Sequence, residues 1–149
     1  MIWLAGGIVL AASAAAIAFL KRRYVAVQVR GTSMTPALRD GDRVLVRRCR
    51  LDRVGPGDVV VVAMPSPSPD GDPPWLVKRV VAVPGDPVPH ARFPNLPVID
   101  RVVPPGRLVL LSDDPAAGYD SRRVGYFAGE TLLGVVVRTV PSPAAGNRQ

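Results

Sequence analysis

Trp75-Leu76-Val77-Lys78-Arg79-Val80-Val81-Ala82-Val83 is an apolar run broken by one lysine and one arginine, and Pro84-Gly85-Asp86 closes it with a turn. Its Val content and its length read as a β-strand. Side chains alternate along a strand. Lys78 therefore shares a face with Leu76 and Val80, while Arg79 points the other way with Val77 and Val81. The lysine stands out in this chain, where 17 of the 19 basic residues are Arg and only Lys21 and Lys78 are Lys. Arg keeps its proton in a protein, whereas a buried Lys can lose it. A chain that uses Arg nearly everywhere, yet sets Lys in an apolar strand, points to a deprotonatable amine. A snorkelling surface lysine on an edge strand is the alternative.

Outward from this strand the chain reads as more short strands. Tyr24 to Arg30 alternates, with Val25, Val27 and Val29 on one face. Arg43 to Arg48 is a second strand after the Asp40-Gly41-Asp42 turn. Val59 to Ala63 follows the Gly55-Pro56-Gly57-Asp58 turn, and its continuous apolar run predicts a strand buried on both faces. Arg107 to Leu111 and Gly134 to Val140 are further strands. Pro65 to Pro74 reads as a mobile loop. Residues 87 to 106 are Pro-rich and weakly patterned, a small excursion from the main sheet. Residues 141 to 149 read as a disordered tail. Many short strands between turn signals predict a mainly β, antiparallel domain over residues 24–140.

At 149 residues, the chain is one domain with at most an appendage. The net charge of +7 suits anionic lipid or nucleic acid, but no basic stretch is interleaved with aromatics, so no nucleic-acid module is expected. Arg47, Arg48, Arg50 and Arg53 cluster around Cys49, as a solvated face or one lying against lipid headgroups. With one Cys and one His, an internal disulfide is excluded and a protein-built zinc site is not expected.

Residues 2–20 are uncharged and almost wholly apolar. As a helix they span about 28 Å, close to a bilayer core of roughly 30 Å, and Lys21-Arg22-Arg23 ends the run. No charge precedes it other than the terminal amine, which favours a transmembrane anchor over a cleaved leader. The positive-inside rule puts the following domain on the cytoplasmic side. That conflicts with an extracytoplasmic placement of the domain. A basic segment ahead of Met1 would remove the conflict.

Gly31-Thr32-Ser33-Met34-Thr35-Pro36-Ala37-Leu38 supplies the candidate nucleophile. A serine hydroxyl needs a base within hydrogen-bond reach. The only histidine, His90, lies between Pro89 and Ala91-Arg92 in the Pro-rich 87–106 excursion, a poor place for a rigid base. A neutral lysine can take that role, and burial favours its neutral form. Ser33 as nucleophile with Lys78 as general base is therefore the expected pair, with the Ser33 N–H as an oxyanion donor. Gly31 lets the backbone approach a substrate closely, and Pro36 stiffens the chain beyond it. This chemistry needs no cofactor.

The stretch from Gly31 to Leu38 resembles the Ser-Met-x-Pro box of type I signal peptidases, the Ser-Lys membrane proteases of the S26 family. Gly55-Pro56-Gly57-Asp58-Val59-Val60-Val61 is similar to their Gly-Asp-hydrophobic box. Lys78-Arg79-Val80-Val81-Ala82-Val83-Pro84-Gly85-Asp86 resembles their lysine box. Ser112-Asp113-Asp114, followed by Asp120-Ser121-Arg122-Arg123-Val124-Gly125, resembles their last box. The four occur in family order over residues 31–125, behind an apolar N-terminus.

The resemblance implies a β protease domain at the outer face of the plasma membrane, held by one N-terminal transmembrane helix. It would cleave signal-peptide-bearing precursors after small residues of the Ala-x-Ala type. Ser33 matches the nucleophile and Lys78 the base. Gly31, Thr32, Ser33 and Met34 fall at the substrate and oxyanion side, with Met34 lining the pocket for the small side chain. Asp120 and Arg122 match an ion pair that braces the site. Gly31 stands where many members carry a hydroxyl. Gly118 stands where a serine often supports the lysine, so Ser112 or a water is expected to substitute. Only 33 residues separate Lys78 from Ser112, which implies a minimal catalytic core. A self-cleaving Ser-Lys regulator and a non-catalytic membrane-tethered β domain are the alternatives.

Overall fold

The computed structural model describes residues 2–64, 75–116 and 119–142. Helix α1, Ile2–Arg23, leads directly into strand β1, Tyr24–Gln28. The strands that follow are β2 Arg43–Arg48, β3 Val59–Ala63, β4 Trp75–Ala82 and β5 Arg107–Leu111. A single helical turn, α2 Ser121–Val124, then precedes β6 Phe127–Ala128 and β7 Leu132–Val140. They form one seven-stranded sheet in the order β1-β2-β7-β3-β4-β5-β6, with every strand pair antiparallel. The mainly β expectation holds. Three of the expected strands agree residue for residue with β2, β3 and β5, and two short elements, α2 and β6, carry too little periodicity to be read in advance.

The sheet curls so that both faces are covered. Val61 and Val77 pack in one cluster with Val27, Val29, Met34, Leu38, Val44 and Val46. Val60, Val62 and Val80 pack in a second with Val54, Leu108, Leu110, Phe127 and Val135. The unbroken valine run of β3 is thus explained, because its successive side chains enter two cores and Val60, Val61 and Val62 are all fully buried. Each contributes about 1.5–3 kcal/mol relative to exposure. The 87–106 excursion brings its own small core of Val88, Leu96 and Val103 against Ala82 and Val109, joined by a Pro87–Val102 bridge.

Strand β7 returns from the end of the domain to lie between β2 and β3. Its tightest passage is at Gly134, where an added Cβ would lie 2.1 Å from the Arg47 carbonyl oxygen. Backbone cannot yield as a side-chain tip would. Gly134→Ala is expected to cost roughly 2–4 kcal/mol, read as a lower denaturation midpoint in urea with an unchanged m-value.

Among the described residues no helix is long and apolar enough to cross a membrane. The side chains of residues 2–12 lie outside that description. The helix Ile2–Arg23 thus stands where the anchor is expected. The expected 65–74 loop also lies outside the described residues. In the expected tail, Ser142 still donates its backbone N–H to Asp42 at 3.0 Å, and residues 143–149 lie outside.

Candidate active site

Lys78 occupies the middle of β4, opposite Val60 of β3. It is 2% exposed. Its Nζ donates to Ser112 Oγ at 2.8 Å. Burial pulls the amine below its ordinary pKa, the charge of Asp120 works against that shift, and Arg122 adds to it. A strand interior holds the side chain at this depth because neighbouring backbone bonds fix β4 on both sides. The Gly57 N–H bonds the Val80 carbonyl and the Val80 N–H bonds the Asp58 carbonyl, each at 2.8 Å. The Gly55-Pro56-Gly57-Asp58 turn is therefore stitched to the lysine strand.

Ser112 directly follows β5, and its position is set by Asp120. The Asp120 carboxylate accepts the Ser112 N–H at 3.0 Å and the Arg122 N–H at 2.9 Å, capping α2. It also forms a salt bridge with the Arg122 guanidinium at 2.5 Å. Burial alone would raise the Asp120 pKa; the bonds from Arg122 and Ser112 outweigh it and hold the carboxyl below its usual range. Lys78, Ser112, Asp120 and Arg122 thus form one connected cluster, and of the two expected supports for the lysine, Ser112 or a water, Ser112 is bonded to Nζ. Gly118 itself lies outside the described residues.

Ser33 reaches the same region by a different route. Its carbonyl accepts the N–H of Asp114 at 3.1 Å, two residues from Ser112. The turn is pinned from below by Met34, which is fully buried, and by the Leu38 N–H bonding the Met34 carbonyl. Gly31, at φ +78°, gives its N–H to Asp40 Oδ1 at 2.8 Å. That donor is committed to the turn. The Ser33 N–H has no protein partner among the described residues. Thr32 is exposed, and its carbonyl closes the turn by accepting from Thr35.

Sequence reading missed two supports. Arg79 grips both oxygens of Asp113, Nε to Oδ1 and Nη2 to Oδ2 at 2.7 Å each, while its Nη1 donates to the Gly57 carbonyl at 3.0 Å. This bidentate pair fastens β4 to the segment that carries Ser112 and meets Ser33. The available signal was an Arg beside the lysine and an acidic pair after β5, but alternation shows only that Arg79 points away. Asp42 is the other support. It is buried, accepts from the Arg39 and Ser142 backbones, and its pKa is lowered by those bonds. A hollow of about 410 Å3 borders Arg79, Ser112, Asp113 and Arg122 and extends to Arg92 and Phe93; Ser33 and Lys78 are not among its lining residues.

A family model described as signal peptidase, peptidase S26, matches residues 2–93. The chain belongs to the S26 signal peptidase family. Membership makes it a serine endopeptidase of the class that removes signal peptides from precursors. The match includes Ser33 and Lys78 and ends before Ser112, Asp120 and Arg122, so those three residues enter on geometry. No curated protein matches the chain.

Proposed function

We propose that this S26 peptidase uses a Ser33–Lys78 dyad to cleave exported precursors after small residues, from a domain tethered by its N-terminal helix at the extracytoplasmic membrane face. The observation that carries the dyad is a deeply buried lysine with a lowered pKa. It is bonded to a serine in the same short segment that meets the backbone of Ser33. Burying an ammonium is costly unless the group sheds its proton, and a neutral amine is a base.

In this reading, Lys78 Nζ takes the proton of Ser33 Oγ as the oxygen attacks the scissile carbonyl. The free N–H of Ser33 receives the oxyanion. The lysine then gives its proton to the leaving amine, and water releases the acyl group by the same steps in reverse. Ser112 accepts a hydrogen bond from Nζ and so aims it. Met34 serves as the floor under the turn where a small side chain would sit. The helix Ile2–Arg23 would hold the domain at the membrane, where precursor signal segments lie.

The test is processing of a secretory precursor bearing Ala-x-Ala by detergent-solubilised full-length protein, with the cut located by mass. Cleavage after the second Ala is expected. A folded wild-type protein that leaves a panel of such precursors intact would sink the proposal.

A further inference from the structure

A basic hollow opens where α1 meets the sheet. It is lined by Arg23, Arg47, Arg48, Cys49 and Arg53 and encloses about 520 Å3, within the range of roughly 300–1,000 Å3 typical of small-ligand sites. Three separate elements build it. Arg23 is the last residue of α1, Arg47 and Arg48 end β2, and Arg53 belongs to the short helical turn Leu51–Arg53. The pairing of Tyr24 with Arg47 sets the helix end beside the strand end.

Among the described residues no carboxylate pairs with any of these four arginines. Asp52 and Asp58 are near enough for their charge to act on Cys49, but Asp58 already accepts the Gly55 N–H. The Cys49 thiol is pushed up chiefly by burial, so it stays neutral and cancels none of the positive charge. Among the described residues the Nε of Arg47 is buried with no hydrogen-bond partner. A buried donor in that state calls for an acceptor. Arginines from three elements line this one hollow, and a guanidinium group matches the forked geometry of a phosphate.

The surroundings indicate which phosphate. Arg23 lies over the ring of Phe19, 5.8 Å from its centroid. Phe19, Leu20 and Ile17 are each more than half exposed on the helix just before the hollow. Exposed apolar side chains adjoining a basic hollow are what an acyl chain and its headgroup would meet together. We propose that this hollow binds the phosphate of an anionic lipid headgroup. The site rests on α1 lying at a membrane surface and not on the protease dyad.

The experiment uses full-length protein in zwitterionic detergent micelles doped with phosphatidylglycerol, with bound lipid measured by native mass spectrometry and by thermal shift. Saturable binding is expected. The triple variant Arg47→Gln, Arg48→Gln, Arg53→Gln should bind about a hundredfold more weakly. A charge-matched control, Arg101→Gln, Arg107→Gln, Arg123→Gln, should bind like wild type. Arg47→Lys keeps the charge but loses the forked guanidinium, and should still weaken binding several-fold; it also carries the test if the triple variant does not fold. Absence of saturable binding, or equal loss in the control, would overturn the site. Inorganic phosphate binding as tightly as the lipid would keep the phosphate site and overturn its assignment to lipid. Precursor cleavage is not the readout, so failure here and failure of the dyad are separable.

Discussion

Lys78→Arg is expected to abolish precursor cleavage, by about a thousandfold or more, and to lower stability as well, because its charge stays buried at every pH. Ser33→Ala should abolish cleavage equally; it keeps the fold and carries the test if the arginine variant does not. A general base contributes about 10²–10⁴-fold, and a nucleophile and base that act as a unit fail together. The arginine variant is the sharper test. It keeps a long basic side chain on β4, but its guanidinium stays protonated in a protein, where the lysine amine is neutral. A merely structural lysine, paired with Ser112 as a charged donor, would tolerate that change far better than a base. Single-turnover cleavage at saturating precursor reads the result. Lys78→Arg protein with wild-type rate would exclude the base role.

The same lysine predicts two pH dependences. Activity should rise with pH through the lowered pKa of Lys78, because the protonated amine cannot accept the Ser33 proton. For stability the sign follows from proton counting. Between the lowered folded pKa and the ordinary value near 10.5, the unfolded chain holds more protons at this site than the folded one, so stability rises with pH across that window. Below the folded pKa the full cost of burying the ammonium applies. Lys78→Met should therefore be more stable than wild type at low and neutral pH, with the gap closing as pH approaches 10.5. Urea midpoints at a series of pH values read it without any substrate. A gap that does not change with pH would mean that Lys78 titrates as if exposed.

Much of this site was legible because it depends on residue type and on strand alternation. Lys78 was marked out by a composition that otherwise uses Arg, and period-two alternation placed it with Leu76 and Val80 and away from Arg79. The run Val59 to Ala63 announced a strand covered on both faces. The long-range order was not legible. Nothing local in Leu132–Val140 says that it inserts between β2 and β3, because any apolar strand satisfies the same alternation. The support for Lys78 was partly legible. Ser112 was expected as one of two substitutes for the hydroxyl lost at Gly118, yet the Arg79–Asp113 fork depends on two side chains 34 positions apart and has no periodic signature. The Gly31 N–H is likewise without a local signature: Asp40, nine residues on, accepts it.

Asp120→Ala is expected to be the most damaging substitution for the fold among the site residues. Asp120 is 2% exposed and holds the Arg122 guanidinium, the Arg122 N–H and the Ser112 N–H at once. Removing one partner of a buried pair typically costs roughly 3–5 kcal/mol. With Arg122 partly open to solvent, about 3 kcal/mol is the appropriate figure, or roughly 6–12 °C in melting temperature for a domain of this size. The Asp120 pKa is lowered from 3.8, so its contribution is present above that value and is lost as pH falls through the lower folded one. The difference between wild type and Asp120→Ala should therefore shrink in acid. Catalysis should suffer separately. Without the carboxylate, the Ser112 N–H loses its anchor and Nζ its fixed acceptor, a misplacement that can cost up to about a hundredfold. The charge that raises the Lys78 pKa also disappears, so the acid limb of the remaining activity should move to lower pH. A stability loss with no movement of that limb would leave Asp120 as a structural cap only. A limb displaced downward would identify it as the group that sets how much of Lys78 is neutral at working pH.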